Sequence, residues 1–430
     1  MRIYKSQFMP KNTIYQLLGN VEADIRQSYT GGALDVFIPH NRVENFFNKV
    51  MNKLFYYDVN SLYPLIMANT PMPVGKPTYF EGDIRKVEPK AFGFFYCKIS
   101  SPNNLLHPLL QRRIKTSEGL RTIAGLGNWE GWIFSGEMDN AVRSGYSFEI
   151  LKGYQFDKGN IFKDYVNKMY ELRLHYTKGH PMNLIAKLLM NSLYGKFGMK
   201  LDTTRIDMFD TSNETENEIF NDMLEVYGET IQDYIQIDSH YLTVRKSFLQ
   251  YKYNEEEDMF HGLDVNIAIA SAITAGGRMW MSIFKNNPEF NLYYSDTDSV
   301  VIDRPLPDHM VGKELGQVKL EHTVNRSVFL APKVYGLVTV DGEEIIKVKG
   351  VVKEQLADIH IQDLEQLLIK DSSKEFNQEK WFKKVIEGEI TVSDVAYTLK
   401  VTSNKRSAIY IDNIFTATKP YYYDDLLNNK

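Results

Sequence analysis

The ten residues "YYSDTDSVVI" (293–302) set two carboxylates one residue apart inside an apolar, β-branched run. Tyr293, Tyr294, Val300, Val301 and Ile302 read as two short strands, with Ser295 to Ser299 as the turn between them. Aspartate is depleted in strands and costly to bury without a partner. A solvated turn would explain Asp296 and Asp298 through local hydrogen bonding alone. Two other segments decide against that bland reading.

The first is "KLFYYDVNSLYPLIM" (53–67). Leu54 to Val59 is a strand pattern, Asn60 and Ser61 are helix N-cap types, and the apolar run beyond them can start a helix. Asp58 then ends a strand where the N–H groups of Ser61, Leu62 and Tyr63 face a common space. A helix start suits a phosphate, and Asp58 could hold a cation against it. The second segment runs from "IFKDYVNKMYELRLHY" (161–176) through "TKGHP" to "MNLIAKLLMNSLYGKFG" (182–198). Gly179 and Pro181 fit a helix stop and a helix start, which makes a helical hairpin. Lys187, Asn191 and Tyr194 share one face of its second helix, Leu188, Leu189 and Leu193 form an apolar face, and Arg173 can turn toward the same groove. Asp296 and Asp298 lean to one side of their turn. Farther on, "LAPKVYGLV" (330–338) places Lys333 and Tyr335 on one face of a strand, and "IIKVKGVV" (345–352) does so with Lys347 and Lys349. Two carboxylates from separate strands, with cations on a nearby helix, suit two-metal phosphoryl transfer, and magnesium favours such oxygen ligands.

Length and composition agree with a folded protein of several units. The chain has 430 residues, 43% hydrophobic and 13% aromatic. No apolar run reaches the ~18 residues of a membrane span, which points to a soluble protein. Cys97 is the single cysteine, which excludes an internal disulfide and a cysteine-rich zinc site. The net charge of −5 conceals a division. Residues 81–200 hold 18 Lys/Arg against 11 Asp/Glu, a net of +7, while 201–264 hold 4 against 16, a net of −12. Local charge governs phosphate contact, so the basic stretch is compatible with nucleic acid. The acidic tip 254–258 is expected to face away from a duplex, with only Arg245, Lys246, Tyr251 and Lys252 approaching it. Pro, Gly and charge concentrate at joints in 75–83, 177–181, the acidic block and 304–310.

The order D-x-x-S-L-Y-P, K-x-x-x-N-S-x-Y-G and Y-x-D-T-D-S closely resembles motifs A, B and C of family B DNA polymerases. "YTGG" (29–32) and "KVY" (333–335) resemble the Y-x-G-G and K-x-Y elements of the protein-primed branch, found in small phages and linear mitochondrial plasmids. The resemblance implies an α+β right-hand polymerase with an antiparallel palm sheet, helical-hairpin fingers, a small thumb and two insertions. The divisions it implies are an N-terminal segment 1–57, palm 58–69, first insertion 70–160, fingers 161–198, second insertion 199–262, palm 263–365 and thumb 366–430. It implies Asp58 and Asp298 as catalytic metal ligands for two Mg²⁺ ions (Mn²⁺ a possible substitute), helped by the Val59 carbonyl, with Asp296 as a supporting acid. Ser61, Leu62, Tyr63, Arg173, Lys187, Asn191 and Tyr194 would bind the incoming dNTP, with Tyr63 excluding a 2′-hydroxyl. Tyr29, Gly31, Gly32, Ser192, Gly195, Lys333 and Tyr335 would contact the DNA primer–template.

The family carries an exonuclease domain ahead of Y-x-G-G. Here 28 residues precede Tyr29, with only Glu22 and Asp24 as acids, so the chain is expected to lack that domain. Thr30 stands where some members carry a basic residue. The implied function is template-directed DNA synthesis for a linear plasmid or virus-like element, with a terminal protein as possible primer. The implied place is the mitochondrion, or otherwise the host cytoplasm. The alternative is a DNA-binding relic that cannot complete the reaction. Reverse transcriptases would show Y-x-D-D, and Thr297 interrupts that pattern.

Overall fold

The computed structural model describes residues 1–11, 13–45, 48–116, 119–200, 204–227, 231–236, 241–247, 252–254, 259–261, 265–351, 356–384 and 389–428. They fall into two compact units. One holds Met1–Gly198, Asn266–Lys374 and Leu399–Lys430, and the other holds Met199–Val265 and Glu375–Thr398.

The first unit is built on a seven-stranded antiparallel sheet. Its strands are β1 (Leu34–Val36), β2 (Leu54–Val59), β3 (Leu292–Asp296), β4 (Ser299–Ile302), β5 (Val318–Ala331), β6 (Val334–Thr339) and β7 (Glu344–Val348), in the order β1-β3-β4-β2-β5-β6-β7. Aromatic and β-branched residues fill these strands, as a half-buried pleated surface favours. The β3–β4 connection is shorter than the sequence implies, because Asp296 and Ser299 still pair across it and only Thr297 and Asp298 turn. Ser299 in turn lies opposite Asp58, in the centre of the sheet.

The unit's main helices are α1 (Leu62–Asn69), α2 (Ser135–Val142), α3 (Lys163–His175), α4 (Pro181–Phe197) and α5 (Ile267–Met281). Of these, α1, α3, α4 and α5 share a core with one face of the sheet, and α2 packs beside α5. In α4 the buried positions are Ala186, Met190, Leu193 and Phe197, a stripe at helical spacing. Leu188, expected on the apolar face, lies off that stripe and is exposed. The expectation that no apolar run could span a membrane also needs correcting. Ile267–Phe284 is long and apolar enough by composition, and 78% of it is buried inside the protein. It serves here as the packed central helix of the unit, flanked by α1, α2 and α4.

The supposed joint at 75–83 is mostly strand. Met72–Glu81 is the edge of a separate four-stranded sheet in which its neighbour, Ser147–Gly159, bulges between Gln155 and Asp157. An edge strand can carry Pro77, since no ladder bond is lost on its open side. Residues 177–181 do form the α3–α4 turn.

In the second unit, strands Thr204–Asp210, Ile231–Gln236 and Tyr241–Ser247 form a small sheet, and helix Glu214–Tyr227 buries Phe220 and Met223. The hairpin Lys374–Lys384/Glu389–Leu399 belongs with it, so the span 366–430 is divided between the two units. The acidic residues 255–258 and Tyr251 lie outside the described residues, and the side chains of Arg245, Lys246 and Lys252 with them.

Candidate active site

Three residues bordering the site hold a backbone conformation that side chains resist. Ser61, Thr297 and Lys333 have φ of 58°, 51° and 63°. Such strain persists only where neighbours over-determine it. Thr297 shows how that is done. Its N–H donates to the Ala33 carbonyl (2.8 Å), and β1 pairs with β3 so that Leu34 faces Asp296. Gly32 closes the contact: a Cβ there would stand 2.7 Å from Thr297 Cγ2. The second glycine of "YTGG" is thus needed for close approach, whereas Gly31 is exposed with open space around it. Tyr29 packs its hydroxyl against Gly198 at the end of α4, and its carbonyl accepts from Arg113 Nη2 (2.7 Å).

On this frame Asp58 and Asp298 come together from β2 and the β3–β4 turn. The Val59 N–H donates to the Asp298 carbonyl (2.8 Å), which ties the two segments side by side. Burial and then the charge of Asp298 push the Asp58 carboxyl up to about 7, with Glu321 adding to the rise and Lys187 and Lys319 opposing it. Asp298 is also raised, by burial and then by Asp296, against its own backbone hydrogen bond, Lys333 and Lys187. Lys187 therefore acts on both acids from α4. Asp296 is better provided for: Lys333 Nζ stands 2.6 Å from its Oδ2, and Thr297 Oγ1 donates to its Oδ1 (3.1 Å).

Lys333 reaches Asp296 from a turn, contrary to the strand position expected of it. Pro332 lacks the N–H that a continuing ladder needs, so the run 330–338 breaks into the β5–β6 hairpin with Lys333 at its tip. Tyr335 sits on β6, its hydroxyl 3.5 Å from that of Tyr56. Lys347 lies in β7 and Lys349 just beyond it. A cleft of about 260 Å³ opens among Tyr56, Asp58, Glu321, Tyr335 and Lys347.

Ser61 is the N-cap of α1, but its hydroxyl caps nothing. It accepts instead from Arg173 Nη1 (3.0 Å), which brings the end of α3 to the start of α1. Pro64, in the first turn, has no N–H to leave unsatisfied. Leu62 is buried, and the Tyr63 ring lies against Tyr194 of α4, centroids 4.4 Å apart. Asn191 is half-buried and Lys187, Ser192 and Gly195 are exposed along the same helix. The structure therefore draws Asp58, Asp298, Lys187, Arg173, Tyr63 and Tyr194 into one neighbourhood.

Sequence reasoning passed over Arg278. It is buried on α5, pairs with Glu137 of α2 (Nε–Oε1 2.7 Å, Nη2–Oε2 2.8 Å), and donates from Nη1 to the carbonyls of Thr30 (2.8 Å) and Gly31 (3.0 Å). A lone arginine in the apolar run "ITAGGRMWM" was the available signal. Lys319 and Glu321 on β5, which also act on Asp58, carried none.

Among the described residues, no three His, Cys, Asp or Glu side chains cluster as a metal cage. Two carboxylates and a carbonyl still suit magnesium, which keeps few protein ligands and takes phosphate oxygens for the rest.

Residues 1–289 match the family "DNA polymerase type B, organellar and viral". A probable DNA polymerase of Ascobolus immersus is 35% identical over 414 residues, covering 95% of this chain and 32% of that protein. One of Neurospora intermedia is 32% identical over 400 residues, covering 90% and 38%. The chain thus spans about a third of the length of these curated relatives. The fold matches Phi29 DNA polymerase solved with primer–template DNA, at a TM-score of 0.64 and 21% identity, over 93% of this chain and 65% of that one.

Proposed function

Since the chain belongs to the organellar and viral type B DNA polymerases, we propose that it adds deoxynucleotides to the 3′-hydroxyl of a template-paired primer. One observation carries the reading. Two partly buried carboxylates are both raised, Asp58 by burial and then the charge of Asp298, Asp298 by burial and then that of Asp296, and one lysine faces both. Like charges held together in a folded protein mark a site that a cation completes.

Asp58, Asp298 and the Val59 carbonyl would hold two magnesium ions. When bound, these would favour the deprotonated 3′-oxygen and stabilise the leaving oxygen. Asp296, neutralised by Lys333, keeps the β3–β4 turn in shape. Lys187 and Arg173 would offset the triphosphate charge, with Asn191 and the N–H groups of Leu62 and Tyr63 facing it. Tyr63 would exclude a 2′-hydroxyl while Tyr194 bears on the nascent pair. The primer strand would run by Lys333 and Tyr335, with Tyr29, Gly31, Gly32, Ser192 and Gly195 facing DNA. The 3′-oxygen bonds to the α-phosphorus as the α–β bridging bond breaks, and pyrophosphate leaves. A linear plasmid or virus-like replicon in a mitochondrion, with a terminal protein as primer, fits the family's organellar and viral description.

Primer extension on an open template with Mg²⁺ tests this. The chain should extend, and Asp298→Ala should lose about 10³-fold or more of the rate while still binding DNA. Equal turnover in the variant would remove the proposal. DNA binding without extension by the parent chain would favour the relic.

A further inference from the structure

Two consecutive glycines, Gly276 and Gly277, stand near the middle of α5, where glycine weakens a helix relative to alanine. Both are buried against α1. A Cβ on Gly276 would collide with Ile66 Cγ2. A Cβ on Gly277 would stand 3.0 Å from Tyr63 Cε1 and 3.4 Å from Leu62 Cδ2. The ring of Tyr63 therefore touches both the bare backbone of Gly277 and the ring of Tyr194 (4.4 Å between centroids).

We propose that Gly277 is a positioning residue for sugar selection, because its missing side chain forms the seat in which the Tyr63 ring lies. This rests on the reading of Tyr63 as the group that excludes a 2′-hydroxyl. A methyl at 277 must move the ring by a few tenths of an ångström, since 3.0 Å is tighter than ordinary carbon contact. Tyr194 also lies against this ring and restricts where it can go, so the displacement alters the space left for the sugar. The surrounding core transmits such a displacement because it is close-packed.

The test is a cycle of the parent chain, Gly277→Ala, Tyr63→Val and the double variant, read by thermal melting and by single-nucleotide incorporation of dNTP and rNTP. Gly277→Ala should lower Tm in the parent, although alanine is the better helix former. It should also raise the KM for dNTPs by about three- to tenfold with a smaller change in kcat. With Val at 63 both penalties should vanish, and alanine should then raise Tm. Equal penalties in both backgrounds would overturn the proposal, since the methyl would then act on Leu62 or on the helix itself. If Gly277→Ala alone fails to fold, folding of the double variant supports the seat, and its failure to fold overturns it. Unchanged sugar discrimination in Tyr63→Val would remove the selection role, whereas the Tm coupling judges the seat independently.

Discussion

Two of the places where the first unit withdraws charge from water are built on opposite plans. At Arg278 and Glu137 every charge meets its opposite. The side chains are only 4% and 10% exposed, the contact is bidentate, and the remaining guanidinium donors reach two carbonyls. Burial alone would push the guanidinium down, but the charge and hydrogen bonds of Glu137 outweigh it and hold it up. At Asp58 and Asp298, like meets like, and both carboxyls are raised. The first arrangement is complete within the chain. The second is not, and incompleteness is what a site for cations and triphosphate requires. The paired charge fixes the Thr30–Gly31 backbone, from which the Thr297 turn is held, so the satisfied site supports the unsatisfied one.

The largest expected effect comes from breaking the satisfied pair. Arg278→Met leaves Glu137 buried without a partner and should cost about 3–5 kcal/mol of stability. The double variant Arg278→Met/Glu137→Leu should recover most of that, because the uncompensated charge is gone. It should still extend primers more slowly than the parent, since Thr30 and Gly31 lose their donor. Urea melts of the three proteins measure the first effect and primer extension the second. A cost below 1 kcal/mol for the single variant would erase the contrast between the two sites.

The two sites also differ in how far the sequence announces them. Asp296 and Asp298 were legible because carboxylates inside a β-branched run need a reason, and the neighbouring segments supplied one. The strand at 54–59 and the helical hairpin were legible from periodicity and from Gly179 and Pro181. Arg278 and Glu137 are 141 residues apart, and nothing local to either tells of the other. The turn at Lys333 is hidden in the sequence because strand-type apolar residues stand on both sides of Pro332, and only the pairing of β5 with β6 places the break. Gly276 and Gly277 carry no local signal beyond the low helix propensity of glycine. Their reason lies in α1, which the sequence does not place beside them.

A smaller effect, opposite in sign, should come from the unsatisfied pair. Asp58 titrates near 7 in the folded chain and near 4 when unfolded, so the native state binds the extra proton between those values. Stability of the metal-free chain should therefore fall as pH rises from about 4 to about 7 and stay low above that. Asp58→Asn cancels the penalty. It should stabilise the chain by about 1–2 kcal/mol at pH 8 in EDTA, the full shift being discounted for solvent exposure. The gain should vanish near pH 4, and millimolar Mg²⁺ should stabilise the parent but not the variant. Thermal melts in those conditions decide it. Destabilisation by Asp58→Asn at pH 8 would mean that the carboxylate is already satisfied within the chain.

The smallest effect belongs to a pair that shares the sign of Arg278–Glu137 and differs only in place. Lys98 and Glu149 face each other across neighbouring strands of the four-stranded sheet, 3.2 Å apart, but their side chains are 53% and 64% exposed. Water screens such a pair, and holding two long side chains in one geometry costs rotamer freedom. Glu149→Gln should therefore change stability by no more than about 0.5 kcal/mol, and less as salt is added. Lys98 left alone pays no penalty, because its ammonium is already hydrated. The same chemical pairing thus spans nearly the whole range of expected costs, and what varies is access to water. A melt of Glu149→Gln beside Arg278→Met, at low and high salt, puts that to measurement. Equal losses in the two variants would show that pairing itself, and not burial, sets the cost, and the distinction drawn between the two buried sites would lose its physical basis.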